Sequence, residues 1–157
     1  MYRKREGKSN KWPYSVEFQL FPCLHARQQP LSEELPMRIL VIDNDISIRE
    51  GMQLRFGFLG YHATFAANGP EGLAMLPEVE PQLAIVDYRM APMDGLEVAH
   101  RIRAMPEFAD LPVIMYSSGL PDHHLARLPG LKVDLVLKPS TMPLFDKVEA
   151  IAASLAV

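Results

Sequence analysis

The 157 residues amount to about one domain, and the single cysteine, Cys23, excludes an internal disulfide and fits a reducing compartment. A net charge of −3 with no continuous basic face argues against nucleic-acid binding. No window reaches the roughly 18 uninterrupted apolar residues of a membrane span, and the stretch after the basic N-terminus is too short and polar for a secretory signal, so no membrane insertion and a cytoplasmic location are expected.

Residues 1–36 carry six Lys and Arg against four Glu, whereas residues 37–157 carry ten against fifteen Asp and Glu. In the first stretch Trp12, Tyr14, Phe18 and Phe21 follow no period of 2 or 3.6. It reads as a flexible basic extension or an over-long reading frame, with Met37 as the start of the folded domain over 37–157. From there the pattern alternates. Residues 38–43 form an apolar run of the kind buried on both faces of a sheet. Residues 46–59 place Ile46, Ile48, Met52, Leu54, Phe56 and Leu59 at helical spacing, with Ser47 near the start and Gly60 as stop signal. Gly51 and Gly57 weaken this helix and suggest close packing. Residues 61–66 are a second strand. Asn68 caps a helix that carries Pro70 in its first turn and runs to residue 76, before a polar loop over 77–81. Strand 82–86, helix 95–105, strand 112–116, a short helix 122–128, strand 133–137 and a last helix over 141–156 complete the pattern. One residue follows it, so no effector domain is expected.

Five strands alternating with five helices call for a parallel sheet covered on both faces. Right-handed crossovers limit this to a three-layer flavodoxin-like (βα)5 sandwich with strand order 2-1-3-4-5, whose switch point lies between strands one and three. Four strands end on polar residues: Asp43-Asn44-Asp45, Asp87, Ser117-Ser118 and Lys138-Pro139. Parallel strands bring these to one edge, where open α/β sheets hold ligands. Two neighbouring carboxylates repel unless a cation separates them, which suits Mg²⁺. Asp87 is then a metal ligand or a nucleophile, because carboxylates attack phosphoryl groups to give aspartyl-phosphates. Metal, amine and hydroxyl together would neutralise the oxygens of the transferred group.

In order and spacing, Val41-Ile42-Asp43-Asn44-Asp45 with Ile48-Arg49-Glu50, Val86-Asp87-Tyr88-Arg89-Met90 with Met93-Asp94-Gly95, the run from Pro112 to Ser117, and Lys138-Pro139 resemble the receiver domain of two-component response regulators. The likeness spans residues 38–156. It implies that Asp87 accepts a phosphoryl group from the phosphohistidine of a sensor histidine kinase or histidine phosphotransfer protein. It also implies that Asp43, Asp87 and the Arg89 backbone carbonyl hold Mg²⁺, that Lys138 pairs with the phosphoryl oxygens, that Ser117 moves to bond one of them, and that Pro139 follows a cis bond. The implied function is a single-domain switch that catalyses its own phosphorylation and dephosphorylation and is not a turnover enzyme. Its output would be contact with a target protein through helix four, strand five and helix five, or relay to another phosphotransfer protein, with a homodimer as a further option.

The chain departs from the family pattern at several positions. Asn44 stands where a second carboxylate is usual, which predicts weaker Mg²⁺ binding even if the amide oxygen ligates, and Asp45 is expected to point away. Leu135 stands where strand five usually carries an aromatic ring that moves with the hydroxyl. Ala91 precedes a displaced Pro92. Arg89 and Gly119 occupy positions that in this family shape access of water to the phosphoryl group.

Two rival readings follow from the same residues. Asn44 and Leu135 suit a degenerate receiver that acts as an interaction module without phosphorylation. Asp43-Asn44-Asp45 and Met115-Tyr116-Ser117 also look like the motifs of haloacid-dehalogenase-type phosphatases, which would turn over through Asp43 instead of accumulating phosphate on Asp87. His123 and His124, adjacent on a helix, diverge by about 100° and read as a solvated helix start, not a metal pair.

Overall fold

The structure, a computed structural model, describes residues 36–156, so the reading of the N-terminal stretch as an extension lies outside the described residues. Five strands, β1 (Arg38–Ile42), β2 (His62–Ala66), β3 (Leu83–Val86), β4 (Val113–Ser117) and β5 (Val133–Leu137), form one parallel sheet in the order β2-β1-β3-β4-β5. Between and after them lie α1 (Ile46–Leu59), α2 (Gly69–Val79), α3 (Gly95–Ala104), α4 (Asp122–Leu125) and α5 (Thr141–Leu155). This is the strand order expected of a flavodoxin-like sandwich.

The runs of β1, β3 and β4 are buried on both faces, as continuous hydrophobic strands of a parallel sheet should be, whereas the edge strands β2 and β5 are only partly covered. One core layer joins Leu40, Ile42, Val86 and Met115 to Leu76 of α2 and to Val98 and Ile102 of α3. The other joins Ile39, Val41, Ile85 and Ile114 to Phe56 of α1 and to Leu144 and Val148 of α5. Register fixes the functional edge. Ile42 pairs with Val86, so Asp43 and Asp87 leave neighbouring strands at the same level. Ser117 pairs with Leu137, so Lys138 emerges beside it.

Local structure differs from expectation in four places. α2 continues through Pro77 to Val79 instead of stopping at residue 76. A proline in a last turn removes only one backbone bond, and Glu80, at φ 44, closes the helix by donating its N–H to the Leu76 carbonyl. α4 is a single turn, Asp122–Leu125, followed by further turns. Asp45, not Ser47, caps α1, accepting the Ser47 N–H. Gly51 and Gly57 face open space, and Ile46, Leu54 and the neighbouring Phe58 are 60%, 78% and 86% exposed, so α1 presents an apolar outer surface instead of burying it. Met52 is buried, and Met75 and Met105 pack against the core. Among the described residues no helix is long and apolar enough to cross a membrane.

Candidate functional site

β1 and β3 each deliver one carboxylate past their last residue, and both are nearly buried, Asp43 at 2% and Asp87 at 6% exposure. β5 delivers Lys138, whose Nζ donates to Asp43 Oδ2 at 2.7 Å and to Asp87 Oδ1 at 2.9 Å. One ammonium thus bridges two carboxylates that would otherwise repel. Burial, the largest single influence, lowers the Lys138 pKa, but the hydrogen bonds and charges of Asp43 and Asp87 together outweigh it and hold the amine above its usual value. The remaining carboxylate oxygens bind main chain: Asp43 Oδ1 accepts the Asp45 N–H, and Asp87 Oδ2 accepts the Arg89 N–H. The Lys138–Pro139 and Ala91–Pro92 peptide bonds are both cis.

The loop after Asp87 is held from below by α3. Asp94 caps that helix by accepting the Glu97 N–H, and the Gly95 N–H reaches the Tyr88 carbonyl at 2.9 Å. A Cβ at Gly95 would collide with the Asp87 backbone carbonyl, so the Asp94-Gly95 pair lets α3 start directly against the carboxylate's own peptide. From above, the Arg89 guanidinium donates to Ser118 Oγ at 2.7 Å. Tyr88 reaches α4, where its hydroxyl lies 2.7 Å from His124 Nδ1. His124 is therefore half-buried in a specific contact, unlike the solvated histidine expected, while His123 is exposed.

Ser117 sits at the end of β4, fully buried, and its hydroxyl has no hydrogen-bond partner among the described residues. The structure therefore joins Asp43 and Asp87 through Lys138 and ties Ser117 to the same lysine through the backbone, the Ser117 carbonyl accepting the Lys138 N–H at 2.9 Å. Asn44 is exposed and lines, with Asp45, Asp87, Arg89, Ser118 and Lys138, an open cavity of about 470 Å³.

Hard oxygen donors stand here: Asp87, the Asn44 amide and Arg89 with its backbone carbonyl line the cavity, and Asp43 is joined to Asp87 through Lys138. Mg²⁺ favours one or two carboxylates completed by water, so the set fits that ion. It fits with little protein charge, because among the described residues no three His, Cys, Asp or Glu side chains gather to hold a metal. Asp45 lines the same cavity, and one of its carboxylate oxygens is taken up in capping α1. Sequence reasoning missed the Lys138–Asp43 bond, and it missed the Lys138 ammonium lying 5.4 Å from the centroid of the Tyr116 ring. Strand order does not give the first, because β3 and β4 lie between β1 and β5. The second depends on side-chain packing alone.

The profile of the response regulator receiver domain matches residues 39–149. Response regulator MprA of Mycobacterium sp. (strain KMS) is 33% identical over 84 residues, 54% of this chain and 36% of that protein. MprA of Mycobacterium avium (strain 104) is 35% identical over 82 residues, 52% of this chain and 35% of that protein. The chain thus matches about a third of the length of these relatives. Among solved structures, a response regulator receiver protein from Pseudomonas putida superposes with a TM-score of 0.69 at 29% identity, covering 73% of this chain and 97% of that one. Chemotaxis protein CheY4 of Vibrio cholerae shares the fold, with a TM-score of 0.68 at 22% identity over 74% of this chain and 98% of that one.

Proposed function

The chain belongs to the response regulator receiver domain family, and on that footing we propose that Asp87 accepts a phosphoryl group from a protein phosphohistidine and thereby switches protein contacts. The observation that carries this reading is the Lys138 ammonium held between Asp43 and Asp87 at the edge of an open cavity. An Asp87 carboxylate oxygen attacks phosphorus in line, the P–N bond to the donor imidazole breaks, and the leaving imidazole takes up a proton. Lys138 neutralises the charge on the phosphoryl oxygens. Asp43, Asp87 and the Arg89 carbonyl would hold Mg²⁺, with Asn44 as a neutral donor. When bound, that ion supplies further positive charge to the same oxygens.

The buried Ser117 hydroxyl then gains the acceptor it lacks, since an unpaired buried hydroxyl costs about 1–3 kcal/mol until a partner arrives. Such a difference in contacts between the two states is what a switch requires. The partners of the reading are a sensor histidine kinase or a histidine phosphotransfer protein and, downstream, a target protein meeting Leu125 of α4, Leu137 of β5 and Met142 of α5, all exposed apolar side chains. A homodimer through the same face would use the same residues. The domain acts in the cytoplasm, where phosphohistidine donors are found, and turns over no substrate beyond its own phosphate.

A second reading, an interaction module that works without phosphorylation, is favoured by Asn44 in the metal shell and by Leu135 on β5. A panel of autophosphorylated histidine kinases separates the two. Rapid transfer of label to the protein and none to Asp87→Ala supports the phosphoacceptor. No transfer from any kinase supports the module, and equal labelling of Asp87→Ala overturns the assignment of that residue.

A further inference from the structure

We infer that Tyr116 is a positioning residue for Lys138 and that its ring carries a change at Asp87 into the groove between α1 and α5. The inference rests on the phosphoacceptor reading above. The Tyr116 ring faces the Lys138 ammonium at 5.4 Å from its centroid, inside the roughly 6 Å range over which an aromatic face attracts a cation. The same ammonium is bonded to Asp43 and Asp87, so it is drawn by two carboxylates and by one ring. The ring itself is 2% exposed and packs in the α1/α5 core layer.

Tyr116 also lines a groove of about 340 Å³ whose walls are Ile48, Met52 and Arg55 of α1 and Met142, Leu144 and Phe145 at the start of α5. Tyr116 is thus shared between the charged site and the groove. The route that the resemblance implies is weakened in this chain. Leu135 offers no ring on β5 and packs in the opposite core layer, and α4 is one turn long. A phosphoryl group on Asp87 moves the negative charge outward by the length of the added P–O bonds. Lys138 follows that charge, its hold on the ring slackens, and the ring repacks against Met52 and the start of α5.

The test uses the full chain with ¹³C-methyl methionine and ¹³C-labelled tyrosine rings, loaded with beryllofluoride and Mg²⁺ as a phosphoryl mimic. Met90 lies in the loop after Asp87, and Met52 and Met142 line the groove, so loading and transmission are read separately. In wild type and in Tyr116→Phe all three methyls shift. In Tyr116→Leu, Met90 still shifts, the Met52 and Met142 shifts fall by at least half, and half-saturation needs at least threefold more beryllofluoride. Undiminished Met52 and Met142 shifts in Tyr116→Leu overturn the inference. Should that variant not fold, the wild type decides alone: a stationary Tyr116 ring signal while Met90 moves overturns it equally. A stationary Met90 in wild type is a different failure, that of the phosphoacceptor reading itself, and the inference falls with it.

Discussion

Lys138→Met removes the cation that bridges Asp43 and Asp87 while keeping the length and apolar stem of the side chain. At an effective dielectric constant near 20, a charge pair 4 Å apart gains about 4 kcal/mol, and the contacts here are closer, at 2.7 and 2.9 Å. Much of that is offset by desolvation, since the lysine side chain is only 16% exposed and both carboxylates are nearly buried. What the substitution leaves behind is two buried carboxylates with no cation between them. Breaking a buried pair in this way costs about 3–5 kcal/mol, which lowers the melting temperature of a domain this size by roughly 10–20 °C. Asp43→Asn in the same chain removes one of the two like charges, so the double variant is more stable than additivity predicts, by about 1–3 kcal/mol. Urea unfolding at pH 7 with chelator present measures all four corners of the cycle. A loss below about 1 kcal/mol for the single variant, or strict additivity, refutes the bridging role.

Gly95→Ala forces a methyl group into the Asp87 carbonyl, so a loss of about 1–3 kcal/mol together with impaired phosphoryl acceptance is expected; wild-type urea stability in this variant counts against the close approach. Asn44→Asp restores a charged oxygen donor at the cavity, and titration calorimetry should find Mg²⁺ bound at least about threefold more tightly, whereas unchanged affinity removes Asn44 from the metal shell. At alkaline pH three groups act in one direction. Lys138, raised overall by Asp43 and Asp87 although burial alone lowers it, and Tyr61 and Tyr116, raised chiefly by burial, all keep their protons longer when folded than when unfolded. Their contribution is complete below the unfolded values near pH 10 and is lost as pH rises through the folded ones. The urea midpoint should therefore fall above about pH 10; a midpoint that rises there contradicts the environments described.

Sheet order and site were legible because strand-end chemistry and topology are both one-dimensional signals. The apolar runs stop at Asp43, Asp87, Ser117 and Lys138, and a parallel sheet puts all four at one edge. What stayed hidden depends on side chains meeting in space. Leu54 holds a helical apolar position yet points to solvent, because the sheet face of α1 is supplied by Met52 and Phe56 with Ile48 and Leu59 beside them. Pro77 read as a helix stop, but in a last turn it is tolerated. His124 read as solvated because nothing in the sequence ties it to Tyr88, 36 residues away. Asp94-Gly95 is legible as a pattern, but its reason is spatial: α3 begins directly against the Asp87 peptide.

The claim on which the rest depends is that Asp87, and not Asp43, carries the phosphoryl group. Borohydride reduction of protein freshly reacted with a small phosphodonor and Mg²⁺ converts an aspartyl-phosphate to homoserine, which peptide mass spectrometry then locates. One homoserine per chain at position 87 is the expected result. Homoserine at position 43, or none at either position after verified reaction with the donor, contradicts the account.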